Sequence, residues 1–365
     1  MKIFGTKRNA THYHKKGSKA RRILAFLLIF CLLIAGGIYV FLDSFIRPPS
    51  VAPFIPRDTP EAPSASSSAD ELSAPNSDRP SGIYTILVAG IDEFGLADTM
   101  MLVAIHTLSQ EVHVVNIPRD TLIDVSWNIA KINSVIAMTS VDRLMHEIER
   151  ITGFLPDHYI TVGLPAFERL VDTLGANQGG IEFNVPIRML YDDPSASPPL
   201  HIDFFPGYQR LDGRQALQVM RFRNNNDGTG YPVPDLGRIQ TQQAFLHVIA
   251  NELLQLQNLL QLRELAQIFL DEVNTNIPLH AMLWYLQEMY QMDVENIFFH
   301  TMPSEMGVWT RGGSYVVIEF APWLEMINAY LNPFPETVTA EHVRLFTRAN
   351  GEIALVGNER PLTSR

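Results

Sequence analysis

The sequence predicts an α/β fold, a central mixed β-sheet with helices on both faces, preceded by one transmembrane helix. Three observations lead there. Strand-like apolar runs alternate with helical periodicities between about residues 84 and 331. The first three runs are almost continuously apolar, the pattern of strands covered on both sides. Ahead of them all lies an uncharged stretch, "ILAFLLIFCLLIAGGIYVFL", from Ile23 to Leu42.

That stretch has the length of a membrane span. At 1.5 Å per residue it makes a helix of roughly 30 Å, the thickness of the hydrocarbon core. Residues 1–22 carry eight basic side chains and no acidic one. The bias places residues 1–22 in the cytoplasm as a basic tail, 23–42 in the cell membrane as a single-pass anchor, and the bulk of the chain outside. A cleaved signal peptide is the rival reading. Its apolar region is usually about 7–15 residues and ends in small residues, whereas Ala35, Gly36 and Gly37 sit inside this run. The single cysteine, Cys31, falls within the span, which leaves the outer part without a disulfide. Residues 43–82 are rich in Pro, Ser and Ala and read as a spacer that cannot form a core. A domain over 83–335 follows, then a C-terminal tail over 336–365.

Within the domain, "YTILVAGID", "DTMMLVAIHT" and "VHVVNIP" read as strands. Helical periodicity covers Val141–Thr152 and Pro165–Leu174, with the short strand "DHYITV" between them and "GGIEFNVP" after them. Asp212 is placed to cap the helix in "LDGRQALQVMRFR". Further helices are expected over Asp235–Leu262, Arg263–Val273, Leu279–Gln291 and Pro322–Leu331, with late strands in "NIFFHTMP" and "YVVIEF". Asn350-Gly351 between two alternating stretches marks a small hairpin in the tail. "NNNDGTGYPVPD" (Asn224–Asp235) is read as a mobile loop over the substrate, and "HEIER" (His146–Arg150) as a solvated helix face, since it lacks the second histidine of a zinc helix.

The charged residues worth attention sit at strand ends, where open α/β sheets hold their sites. Asp92 follows the first strand, Asp98 opens the second, and Arg119 and Asp120 follow the third directly after Pro118. Arg221 and Arg223 come after the "LDGRQALQVM" helix and share a face only if the chain is extended there. Asp235, Arg238 and Gln242 lie close to one face of the next helix. Taking the eight N-terminal cations from the 28 basic residues leaves 20 against 39 acidic ones, a net of −19. No nucleic-acid partner is expected of so acidic a body. Lys131 is its only lysine. Arginine forks grip phosphate oxygens bidentately, and carboxylates at Asp92 and Asp98 suit Mg²⁺, which takes one or two carboxylates plus phosphate oxygens. Together they suggest a pyrophosphate held between arginines and magnesium. Spacing alone does not bring the four arginines together. Each Asp or Arg taken singly is more often a cap or a surface pair, and Asp235–Arg238 can be a helical ion pair. No phosphate-binding or nucleophile-elbow glycine motif is present.

Taken in order, "TILVAGID", "ADTMMLVAIH", "VVNIPRDTLI", "KINSVIA", "LDGRQALQVMRFR" and "DLGRIQTQQAFL" resemble the LytR-CpsA-Psr family of wall-polymer ligases over roughly residues 84–262. The resemblance implies an α/β domain that binds a polyprenyl-linked pyrophosphate and transfers a teichoic acid or capsule-type glycopolymer to peptidoglycan. It puts Asp92 and Asp98 on metal-associated positions. It puts Arg119, Arg221, Arg223 and Arg238 on pyrophosphate-binding ones, with Lys131, Asp235 and Gln242 also on motif positions. Asp98, Arg119 and Asp120 become the catalytic candidates, Asp120 as the group that orients Arg119. Two family arginines are replaced here, by Leu96 and Thr241. The expected activity is therefore a phosphotransferase, with a weakened lipid-pyrophosphate-binding scaffold or a pyrophosphate hydrolase as the alternatives.

Overall fold

The three apolar runs form the middle of the sheet. The computed structural model describes residues 48–49, 82–128, 130–195, 200–253, 262–358 and 362. The expected span at 23–42 lies outside these residues; among them no helix is long and apolar enough to cross a membrane. Strands β1 (Ile83–Ile91), β2 (Ala97–His106) and β3 (Glu111–Ile117) form an antiparallel meander. β4 (His158–Gly163) joins β1 in parallel, and β10 (Ile297–Thr301) joins β3 in parallel. β9 (Val273–Thr275) closes the other edge antiparallel to β4, so the order is β10-β3-β2-β1-β4-β9.

Alternate residues of the meander serve the two faces. Leu87, Ala89, Leu102, Ala104, Val115 and Ile117 pack with Leu144, Ile148 and Ile151 of helix α2 (Val141–Thr152) and with Trp323 of α8 (Phe320–Met326). Tyr84, Ile86, Met101, Ile105, Val112 and Val114 pack with Ala281 and Tyr285 of α7 (Leu279–Gln291). Helices thus cover both faces, and a period of two explains why the strands are apolar on both sides through their middle. α2 begins where Ser140 Oγ accepts the Arg143 N–H at 3.2 Å and stops at Gly153, whose φ of 84° favours glycine. A Cβ there would lie 2.8 Å from Val338.

A second core lies beyond the sheet. Helix α3 (Leu164–Gly175), the pairs β5 (Ile181–Val185) with β8 (Gly207–Leu211) and β6 (Met189–Asp193) with β7 (Leu200–Phe204), and helices α4 (Gly213–Arg221) and α5 (Pro234–Leu253) enclose Phe183, Met189, Phe204, Val219, Phe245 and Ile249. Asp212 caps α4 as expected, and its N–H donates to Gln215 in return. The remaining elements are α1 (Ser134–Met138), α6 (Leu262–Glu272), β11 (Ser304–Thr310) paired with β12 (Gly313–Ile318), and β13 (Leu345–Ala349) paired with β14 (Glu352–Val356).

The structure departs from the expectations in four places. "HEIER" is not a solvated face: Glu147 is buried and paired with Arg143 and Arg150. The described residues from 336 on are not a tail apart from the domain: Val338, Val343 and Leu345 are buried in the main core, and Arg344 reaches Asp124 at 2.7 Å. The loop after Arg223 is not loose. Asn225 Oδ1 accepts the Leu190 N–H and Asn226 Oδ1 the Asp192 N–H, both at 2.6 Å, which ties it to β6. The helix expected over Pro322–Leu331 changes at Ile327 into a π-helical turn, Ile327–Leu331.

Candidate active site

Register explains why Asp98 and Arg119 meet. Met100 pairs with Ile117 at the end of the β2–β3 ladder, so the next positions of the same kind, two residues out on each strand, are Asp98 and Arg119. Arg119 Nη1 donates to Asp98 Oδ1 at 2.5 Å. Pro118 ends the pairing because it has no N–H to give. The chain then turns, with the Thr121 N–H and Oγ1 both donating to the Pro118 carbonyl. Its next carbonyls are anchored: that of Arg119 accepts the Asn133 N–H at 3.1 Å, and that of Asp120 the Val316 N–H at 2.9 Å. The Asn133 carbonyl in turn accepts the Ala97 N–H at 3.0 Å. The "KIN" segment therefore clamps both sides of the strand pair, and it sets Lys131 Nζ 3.1 Å from Asp120 Oδ1.

The second core brings the other arginines. α4 ends at Arg221, and Phe222 is extended (φ −61°, ψ 138°), so Arg221 and Arg223 come to one side. Arg221 lies 4.0 Å from Asp98 Oδ2 and 3.5 Å from Glu93. Asp235, in the first turn of α5, bridges two guanidinium groups: Arg223 at 3.0 Å on Oδ2 and Arg238 at 3.1 Å on Oδ1. Asp98, Arg119, Asp120, Asp235, Arg238 and Gln242 line one recess. Gln242 also donates to the Met220 carbonyl at 3.0 Å, which fastens α5 to the end of α4.

Burial and charge make this recess ready for an anion. Burial works against the charge of Arg119, but Asp98, Asp120 and Asp235 outweigh it and raise its pKa. Arg238 is 7% exposed, and burial, then the charges of Arg119 and Arg223, lower its pKa despite Asp235. The buried Nε atoms of Arg119, Arg223 and Arg238 make no hydrogen bond within the protein. Three guanidinium groups of like charge lie close enough to oppose one another, and a multiply charged oxyanion relieves that repulsion.

Asp92 is placed differently. Its Oδ1 accepts the N–H groups of Phe94 and Leu96 at 2.9 and 2.8 Å and shapes the β1–β2 turn; it does not line the recess. Thr241, where the resemblance implies an arginine, is buried. It donates to the Gly237 carbonyl at 3.0 Å and meets the Tyr231 hydroxyl at 2.6 Å, and a Cβ on Gly237 would clash with the Tyr231 ring. Glu93, Asn116 and Met306 were not legible as site residues. Glu93 stands next to Asp92 in the turn, which is the one signal that could have marked it, whereas Asn116 and Met306 reach the recess only through the fold.

The chain belongs to the LytR_cpsA_psr family, whose model matches residues 58–330. It is 27% identical over 202 residues to the regulatory protein MsrR of Staphylococcus aureus, covering 54% of this chain and 57% of MsrR. The match thus spans little more than half of that relative. It is 25% identical over 228 residues to the polyisoprenyl-teichoic acid–peptidoglycan teichoic acid transferase TagU of Bacillus licheniformis, covering 61% of this chain and 69% of TagU. A structure of TagT bound to LIIa-WTA shares the fold, with a TM-score of 0.54 and 18% identity over 70% of this chain and 92% of that one.

Proposed function

We propose that this chain is a membrane-anchored phosphotransferase that attaches a polyprenyl-pyrophosphate-linked anionic glycopolymer, of the teichoic acid or capsule type, to peptidoglycan. The observation that carries the reading is the convergence of Arg119, Arg223 and Arg238, each with a buried donor unsatisfied, beside the carboxylate of Asp98. Family membership and the similarity to TagU support it. The acceptor hydroxyl of peptidoglycan attacks the phosphorus bonded to the glycopolymer. One P–O bond forms to the acceptor, the bridging P–O bond breaks, and polyprenyl phosphate leaves with the acceptor's proton. Arg119 and Arg238, at the recess, neutralise charge on the transferring phosphoryl group. Arg221 and Arg223 hold the outer phosphate. Asp120 and Lys131 fix the turn that aims Arg119, and Asp235 keeps two arginines in place.

Asp98 fits a hard divalent ion. Among the described residues its Oδ2 has only the 4.0 Å contact with Arg221, and Mg²⁺ needs few protein oxygens when phosphate and water complete its shell. Asp92, expected as a second ligand, serves the β1–β2 turn through Oδ1 and does not line the recess, so the reading rests on Asp98. Bound there, Mg²⁺ supplies neutralisation of the pyrophosphate charge. The basic tail at 1–22 and the apolar run at 23–42 support an anchor with the N-terminus in the cytoplasm and the domain outside.

Leu96 and Thr241 favour a second reading, a catalytically weakened lipid-pyrophosphate binder. One experiment separates the readings: release of polyprenyl phosphate from a lipid-linked donor, measured with and without peptidoglycan. Acceptor-dependent release is expected. Release that ignores the acceptor makes the chain a hydrolase, and donor binding without turnover makes it a scaffold.

A further inference from the structure

The end of the β2–β3 pair remote from the arginines carries chemistry that the transfer reaction does not use. His106 closes β2 and pairs directly with Glu111, which opens β3. His113 is two residues further, on the same side of the strand as Glu111. One ligand atom from each of the three lies within 4.8 Å of those of the other two.

Hydrogen bonds decide which nitrogen each ring can give. His106 Nε2 is 2.7 Å from the Tyr330 carbonyl oxygen. A carbonyl only accepts, so Nε2 carries the proton and Nδ1 the lone pair. His113 Nδ1 is 3.1 Å from His300 Nε2, which leaves its Nε2 facing Glu111 Oε2 at 3.8 Å. That is too long for a hydrogen bond. It is near the separation of about 3.3 Å between two ligands of one tetrahedral ion bonded at 2.0–2.1 Å. Among the described residues Glu111 pairs with no lysine or arginine; Ser109 Oγ donates to its Oε2 at 3.0 Å. The His113 ring is stacked on Phe298, His300 and Tyr330, with centroids at 5.2, 5.3 and 4.6 Å. Each imidazole therefore has a partner on its far nitrogen and a fixed plane, the backing that orients metal-bound histidines.

We propose that His106, Glu111 and His113 form a transition-metal site of the zinc type, with water as the fourth ligand. Two imidazoles and one carboxylate select zinc over magnesium, so this site and the one at Asp98 take different metals. The ion ties the β2–β3 turn to β10 through His300 and to the 327–331 turn through Tyr330. It acts on stability.

The test uses the full chain in detergent micelles, stripped with a chelator and titrated with Zn²⁺ alone against a competing dye. One zinc per chain is expected, with a rise in melting temperature that excess Mg²⁺ does not reproduce. Glu111→Gln keeps the shape of a half-exposed side chain, and it should weaken zinc binding at least tenfold, as should His106→Gln. Asp98→Asn should leave zinc binding intact. No zinc uptake overturns the proposal. So does uptake that survives both substitutions, as it would at His12 and His14, or uptake that Asp98→Asn removes.

Discussion

β2 and β3 run side by side through the middle of the sheet, yet their two ends are built from different chemistry. At one end Asp98 and Arg119 face each other beyond the last ladder pair, and Arg223, Asp235 and Arg238 close in from the second core. At the other, His106, Glu111 and His113 gather among stacked rings. The strands between are apolar and buried. One rigid bar thus presents fixed, permanently charged forks at one end and imidazoles at the other. Burial and the neighbouring His106 and His300 push the pKa of His113 down to about 4, so its ring is uncharged at neutral pH. The contrast teaches that a strand pair sets where side chains meet, while residue type sets what they can hold: phosphate for guanidinium, a borderline metal for imidazole.

The largest expected effect is at Asp98. If the arginine end works with magnesium, a chelator abolishes transfer, added Mg²⁺ restores it, and Asp98→Asn reproduces the loss while the domain stays folded. Full turnover in chelator would remove the ion from the site. Next comes Arg119→Ala, which should cost ~3 kcal/mol in the transition state, on the order of a hundredfold in rate. Arg119→Lys should recover little, because an ammonium does not reproduce the fork. Rate per folded molecule and melting temperature, measured on one preparation, decide the matter: an active but less stable alanine variant would make Arg119 a structural pair with Asp98.

Asp235→Asn removes the charge that holds Arg223 and Arg238 together. Donor affinity should fall about tenfold, roughly 1.4 kcal/mol, as read by donor titration; unchanged affinity would mean the two arginines act independently. At the histidine end, Tyr330→Leu takes away a stacking partner. It should lower stability by roughly 1 kcal/mol in a denaturant melt and leave transfer per folded molecule unaltered. A loss of transfer there would mean that the two ends communicate.

The smallest effect is one of pH. Asp124, on the segment behind Arg119, is opposed by burial, but Arg344 and Arg150 outweigh it and hold its pKa below the ordinary carboxylate value. The folded state therefore binds its proton less readily than the unfolded one. The contribution is present above the unfolded value of about 4 and fades as pH falls through the lowered folded value. Asp124→Asn should flatten the acid limb of a stability–pH curve; an unchanged limb would show that the brace carries no net charge effect.

By itself the sequence determined the elements whose own burial repeats along the chain. β1 to β3 were legible because both faces are covered and their middle positions are almost continuously apolar. α2 was legible from its period of 3.6, α4 from Asp212, and the β13–β14 hairpin from Asn350-Gly351, both at positive φ. Strands β6, β7, β8, β9 and β11 were not. β9 is three residues long, and β11 alternates buried and exposed positions without a continuous apolar run, so short-range pattern carried too little signal. The charged residues at strand ends were equally visible, but their meeting was not. That Asp98 opposes Arg119 depends on a register set by the whole β2–β3 ladder. That Asp235 bridges Arg223 and Arg238 depends on Gln242 docking α5 against α4. That Asp92 shapes a turn depends on backbone N–H groups that no side-chain motif reveals. Residue type is a local property and can be read in one dimension; convergence is a property of pairing and packing, and only the tertiary structure decides it.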